Sequence, residues 1–162
     1  MAIPARYNNG YNIGVGGAVV RDGRLLLVRR ASRHGNGNWQ LPGGFIEPDE
    51  TVEQAVVREV FEETGVQAEV EAVVGLRSRY DPDNGNGIYV VLLLRPTGGE
   101  PIADGREVDR AGFFDLEEIR ALSPLPPVNW EIARRVLSGD RRLLMPKPLT
   151  NLNGARFTLF VG

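Results

Sequence analysis

Gly43-Gly44-Phe45-Ile46-Glu47-Pro48-Asp49-Glu50-Thr51-Val52-Glu53-Gln54-Ala55-Val56-Val57-Arg58-Glu59-Val60-Phe61-Glu62-Glu63-Thr64-Gly65-Val66 is the stretch on which the reading turns. Pro42-Gly43-Gly44 cannot be helical, so the chain arrives extended and turns. A helix is predicted over Thr51 to Thr64, stopped by Gly65 at the position that favours a left-handed backbone. On that helix Glu59, Glu62 and Glu63 stand at i, i+3 and i+4 and converge on one face. Val52, Ala55 and Val56 lie on nearly the same face two turns earlier. A solvated helix carries its acids opposite its apolar stripe. Here they are aimed at the rim of the core, where they need a counter-charge. Mg²⁺ or Mn²⁺ is the economical one, a hard cation content with a few carboxylates and substrate phosphates. Gly43 and Gly44 allow close approach of backbone to a ligand.

The charge of the whole chain sharpens this reading. The protein has 162 residues, 19 Lys+Arg and 21 Asp+Glu, a net charge of −2. From Gly44 to Val66 there are seven acids and one base, net −6, which leaves the remainder at 18 − 14 = +4. Of the bases only Lys147 is a lysine; such an excess of arginine suits phosphate recognition, but over a whole chain compositional bias is the favoured reading. With no cysteine and the single histidine His34, disulfide scaffolds, thiol nucleophiles, Cys-based zinc sites and Ser-His-Asp catalysis are set aside. The mild acidity argues against a general nucleic-acid track. The longest clean apolar run, Ile88 to Leu94, is far short of the roughly 20 residues of a spanning helix. No signal pattern opens the chain, and a cytoplasmic protein is expected.

Outward from the acidic stretch the chain reads as one α/β unit. Ile13 to Val20 and Arg24 to Arg30 are strand-like runs joined by Asp22-Gly23, a strong hairpin signal. Ala31 to Asn38 is a loop. Val66 to Tyr80 and Ile88 to Arg95 are expected strands separated by a loop over Asp81 to Gly87. Residues 96–106 read as loop, Gly112 to Asp115 as a short strand, Leu116 to Leu122 and Val128 to Leu137 as helices, and Arg156 to Val161 as a last strand. Gly14-Val15-Gly16-Gly17 lacks the third glycine of a dinucleotide loop and no helix follows it.

The run Gly44-x5-Glu50-x7-Arg58-Glu59-Val60-x-Glu62-Glu63-x-Gly65-Val66 resembles the signature of the Nudix hydrolase family at every fixed position. The approach Trp39-Gln40-Leu41-Pro42-Gly43-Gly44 is similar to the family's usual lead-in, and the order of elements extends the likeness over about residues 12–138. The segment 139–162 carries no family mark, and the whole is expected to be one domain. The resemblance implies an α/β/α sandwich with a mixed central sheet and a strand–loop–helix active site. It implies Mg²⁺- or Mn²⁺-dependent hydrolysis of a nucleoside diphosphate linked to another moiety, a small-molecule nucleotide substrate. Glu59, Glu62 and Glu63 match the metal-binding carboxylates, and the Gly43 carbonyl matches a backbone ligand. Arg58 matches the arginine that orients the catalytic glutamate, and Glu50 an orienting box glutamate. The base varies in the family: the glutamate at Glu59 in some members, an acid outside the box in others.

Outside the box each signal has a plainer reading beside it. Glu107 sits where many members place a further metal-binding or base glutamate, or is a surface loop acid. Pro82 stands at a spacing associated with ADP-ribose-hydrolysing members, or is a turn residue. Pro126-Pro127-Val128-Asn129 resembles a stretch of the MutT-type nucleotide-pool sanitisers whose asparagine reads the base; otherwise Asn129 is a helix cap. Arg29, Arg30, Arg77 and Arg79 are candidates to reach phosphates, Arg29 and Arg79 above all. Tyr80 or Tyr89 could stack on a base, although packing at the core or its rim is the plainer reading. The expected substrate is ADP-ribose-like or broad, the alternative a (deoxy)nucleoside triphosphate, and a non-catalytic nucleotide-binding module is the less favoured third. The sequence leaves room for a homodimer.

Overall fold

The structure, a computed structural model, describes residues 11–31, 37–81, 85–139, 143–150 and 156–161. Strands β1 (Tyr11–Arg21) and β2 (Arg24–Arg30) form the expected hairpin. Asp22 and Gly23 take φ values of 51° and 72°, the paired left-handed geometry that matches the twist of the flanking strands. The lead-in to the acidic stretch becomes two short strands, β3 (Trp39–Gln40) and β4 (Gly43–Phe45). Helix α1 (Val52–Thr64) follows, then β5 (Gln67–Asp81), β6 (Gly85–Gly98), β7 (Val108–Phe114), α2 (Leu116–Ala121), α3 (Pro127–Leu137), β8 (Met145–Thr150) and β9 (Arg156–Val161).

The main sheet runs β3-β2-β1-β6-β5, with β4 paired to β1 and β7 to β2. It is mixed: β1 lies parallel to β6 and antiparallel to β2 and β4. Successive side chains alternate between its faces. Val15, Val19, Leu26, Leu92 and Leu94 pack against Ala55, Val56 and Val60 of α1. Ala18, Leu25, Leu27, Val91 and Leu93 pack on the other side with Ile119 of α2 and Ala133 of α3. Both faces being covered explains the unbroken apolar run of β6. The result is the expected α/β/α sandwich.

Helix α1 starts and stops where its caps dictate. Thr51 Oγ1 accepts from the Gln54 N–H at 3.3 Å and Gln54 Oε1 accepts from the Thr51 N–H at 2.8 Å. Gly65, with φ 70°, closes it by donating its N–H to the Phe61 carbonyl at 2.7 Å.

Several boundaries differ from expectation. β6 starts at Gly85, inside the expected loop, because pairing with β5 carries on to Asp81↔Gly85. β7 starts at Val108, four residues earlier than its hydrophobicity suggests, because Val108 and Arg110 pair with Arg30 and Arg29 of β2. β8, hidden by Pro146 and Pro148, is half of a two-stranded ribbon with β9, where prolines are tolerated on an edge. The glycines of β1 make room for packing: a Cβ on Gly17 would stand 2.5 Å from Val60 Cγ2, and one on Gly16 would fall on the Tyr89 hydroxyl. Among the described residues no helix is long and apolar enough to cross a membrane.

Candidate active site

Gly43 and Gly44 bring β4 against both β1 and α1. A Cβ on Gly43 would fall on the Val15 carbonyl oxygen, and one on Gly44 would lie 2.5 Å from Glu59 Oε1. At Gly43 the obstacle is backbone and excludes any side chain, whereas at Gly44 it is the Glu59 carboxylate, which a side chain would displace. The Gly43 N–H donates to Glu63 Oε2 at 2.9 Å. The turn before the helix is thereby tied to a carboxylate in the helix's last turn.

The three helix acids share a face but differ in depth. Glu63 is 2% exposed, whereas the Glu62 side chain is 58% exposed and that of Glu59 15%. Burial pushes the Glu63 carboxyl up to about 7, against the Gly43 N–H and Arg30 that favour its charge; Glu59 and Glu107 push it the same way. Burial also raises Glu59, opposed by Arg58.

Arg58 is the hub on one side. Its guanidinium donates to Glu50 at 3.0 and 2.6 Å, to Glu59 at 2.9 Å, to Glu62 at 3.2 Å and to the Phe45 carbonyl at 3.2 Å. The bidentate pair with Arg58, aided by the Glu47 N–H, holds the Glu50 carboxyl down, from an ordinary 4.5 to about 2. A group depressed on folding stabilises above its unfolded pKa, and that stability is lost as pH falls through its folded one. Wild type is therefore expected to exceed Glu50→Gln in stability at neutral pH, and the two to converge between pH 4.5 and about 2. Thermal unfolding across that range checks it; a constant gap would remove Glu50 as a structural anchor.

Arg30 is the hub on the other side. Its Nη1 lies 2.9 Å from Glu63 Oε1 and 3.0 Å from Glu107 Oε2. A shift of register between Arg29 and Arg30 on β2 sets this arrangement: Arg29 faces Arg110 and Arg30 faces Val108, leaving Asp109 as the extra residue. Such a bulge re-aims the side chains beside it. Arg29 turns to Asp109, bonded at 2.7 and 3.0 Å, and Arg30 turns to the acids.

The structure thus gathers Arg58, Glu50, Glu59, Glu62, Glu63, Glu107, Gly43 and Arg30, and not Arg29 or Asn129. Asn129 is 4% exposed; its Oδ1 accepts from the Leu41 N–H at 3.3 Å and its Nδ2 donates to the Trp39 carbonyl at 3.2 Å. The amide ties α3 to the lead-in strand. Asn129→Ala is expected to cost roughly 1–3 kcal/mol of stability, since it leaves those buried backbone groups unpaired. Denaturant unfolding measures it, and an unchanged midpoint would refute the tie. Arg79 lies on β5 opposite Gly87, and its side chain is outside the described residues, as are Pro82, His34 and the Tyr80 side chain. Tyr89 lies across β1 with the Arg77 guanidinium 5.0 Å from its ring centre. Sequence reasoning placed Arg30 behind Arg29 and Arg79 and passed over Asp104, whose Asp-Gly pair was the available signal.

A hard divalent cation suits this donor set. Glu50, Glu59, Glu62, Glu63 and Glu107 offer oxygen only, and they outnumber the two guanidiniums among them. Among the described residues, however, no three acidic or histidine side chains are drawn into a ready-made cage. Arg30 and Arg58 hold the acids in this state.

The family model described as the NUDIX domain matches residues 10–136. The chain belongs to the Nudix family. It is 40% identical over 112 residues to an ADP-ribose pyrophosphatase of Methanocaldococcus jannaschii, covering 68% of this chain and 66% of that protein. It is 46% identical over 90 residues to a MutT-like protein of Streptomyces ambofaciens, covering 55% and 54%. The chain thus spans less than two thirds of the length of these curated relatives. Its fold superposes on the crystal structure of a MutT Nudix hydrolase from Burkholderia pseudomallei with a TM-score of 0.68 at 32% identity, covering 78% of this chain and 98% of that one. The Nudix box therefore occupies Gly44 to Val66, on β4, the turn after it and α1.

Proposed function

We propose that this Nudix protein is a Mg²⁺- or Mn²⁺-dependent pyrophosphohydrolase that cleaves a nucleoside diphosphate linked to another moiety, with ADP-ribose-like or broad substrates. The observation that carries this reading is the set of carboxylates around Gly43 and Gly44: oxygen donors in charge excess, Glu63 buried and Glu59 packed against Gly44, where any side chain would displace its carboxylate. The name of the Methanocaldococcus relative supports the choice of substrate.

In this reading Glu59, Glu62, Glu63 and the Gly43 carbonyl would hold the cation. When bound it neutralises charge on the phosphate oxygens and lowers the pKa of water. The chain's own residues supply position and proton transfer. Arg58 fixes Glu59 beside Gly44 while Glu50 fixes Arg58. Glu59 or Glu107 accepts the proton of the attacking water. Water oxygen bonds to one phosphorus of the bridge, the bridging P–O bond breaks, and the leaving phosphate takes the electron pair. The products are a nucleoside monophosphate and the phosphorylated second moiety.

The second reading is hydrolysis of nucleoside triphosphates to the monophosphate and pyrophosphate, supported by the names of the MutT-like relatives. Its residue-level support is weaker, because the Asn129 amide already serves the Trp39–Leu41 backbone. A panel of ADP-ribose, dinucleotides, nucleotide sugars and triphosphates with Mg²⁺, products identified by mass, separates the two. Highest kcat/KM on ADP-ribose or its kin is the expected result. No hydrolysis of any member would sink both readings.

A further inference from the structure

The loop between β6 and β7 ends in a clamp. Asp104 Oδ1 accepts hydrogen bonds from three successive backbone N–H groups, those of Arg106 at 2.8 Å, Glu107 at 3.1 Å and Val108 at 3.0 Å. Gly105, with φ 72°, lets the chain fold around that oxygen and donates its own N–H to the Val108 carbonyl at 3.0 Å. The Glu107 carbonyl accepts from the Ala31 N–H at 2.8 Å, which fastens the loop to the end of β2. The backbone of Glu107 is thus held on both sides, by Asp104 at its N–H and by Ala31 at its carbonyl.

This matters for Glu107, whose backbone the clamp places. Its side chain is 59% exposed, so packing does not position it. Yet its Oε2 meets Arg30 Nη1, the same atom that meets buried Glu63. A continuous path runs from Asp104 through Glu107 and Arg30 to Glu63. Bonds from backbone N–H groups to a carboxylate are charge-assisted and stronger than neutral ones. Three on one oxygen over-determine the turn.

We propose that Asp104 is a positioning residue of the hydrolytic site: by clamping the turn 104–108 it holds Glu107 against Arg30 and Glu63. It touches no substrate and acts through Glu107. The inference rests on the Nudix reading above and on Glu107 taking part in the reaction. A carboxylate displaced by about 1 Å loses much of its effect on rate, so the turn sets how well Glu107 serves.

The test compares Asp104→Ala, Asp104→Asn, Glu107→Gln and the double variant Asp104→Ala/Glu107→Gln, each with its thermal unfolding profile. Asp104→Ala is expected to lower kcat by about 10- to 100-fold with little change in KM. Asp104→Asn, which keeps an acceptor oxygen, recovers most of the rate. The double variant is no slower than Glu107→Gln alone. In the cation-free protein the ¹⁵N–¹H signal of the Arg30 guanidinium shifts alike in Asp104→Ala and Glu107→Gln, a readout that needs no turnover. Additive losses in the double variant, or an Arg30 signal unmoved by Asp104→Ala, would overturn the inference. So would a wild-type rate in Glu107→Gln, which leaves the Nudix reading standing; failure of that reading shows instead as no hydrolysis by wild type. If Asp104→Ala does not fold, Asp104→Ser replaces it under the same criteria.

Discussion

Glu59→Gln is expected to turn over about 10²- to 10⁴-fold more slowly than wild type, the usual weight of a positioned base or a lost charge at the reacting centre. The fold is expected to survive. Glu59 sits 15% exposed among Glu62, Glu63 and Glu107, and a neutral amide of the same shape relieves their repulsion. Arg58 keeps its two bonds to Glu50 and its bond to the Phe45 carbonyl, so the box stays tied to its helix. Steady-state kinetics and thermal unfolding of the same preparation check both halves. An unfolded variant, or one with undiminished rate, would contradict the assignment. Glu107→Gln, run beside it, tests the second candidate base separately: a fall in kcat that matches the one at Glu59 places Glu107 in the site.

Gly44→Ala is expected to be nearly as costly to catalysis, by roughly 10²-fold, with little loss of stability. The added methyl would lie 2.5, 2.7 and 2.9 Å from Oε1, Cδ and Oε2 of Glu59. These are the far end of a flexible side chain, so the carboxylate moves and the backbone need not. Gly43 differs: there the obstacle is the Val15 carbonyl oxygen, which is backbone and cannot step aside. Gly43→Ala is therefore expected to lose fold and activity together, and Gly44→Ala activity alone. Paired measurements of melting temperature and kcat distinguish them, and equal melting losses in the two would count against the packing described here.

How much of this was legible in the sequence depends on how local each cause is. Helix α1, expected over Thr51 to Thr64 and found over Val52 to Thr64, was readable to within a residue because its stop at Gly65 acts on backbone within one turn. The convergence of Glu59, Glu62 and Glu63 followed from helical period alone. Their depths did not: Glu63 is buried because β4 and Arg30 close over it, and both belong to other parts of the chain. The bulge that sends Arg29 to Asp109 and Arg30 to Glu63 is a fact of strand pairing. Two adjacent arginines look alike until the partner strand is in place. Glu107 could be singled out by resemblance, but its clamp by Asp104 depends on the path of the loop. For Asn129 the cap and base-reader alternatives both missed the tie it makes, because its partners Trp39 and Leu41 lie about ninety residues away. β8 was concealed by its own prolines, whose usual meaning fails in a ribbon of only two strands.

The most direct test of the central claim, that the carboxylates around Gly43 and Gly44 serve a divalent cation in breaking a diphosphate bridge, is turnover of the preferred substrate in Mg²⁺, after excess chelator, and after Mg²⁺ is restored. The account predicts hydrolysis, its complete loss, and its return, with a nucleoside monophosphate as product each time; full turnover in excess chelator would contradict it.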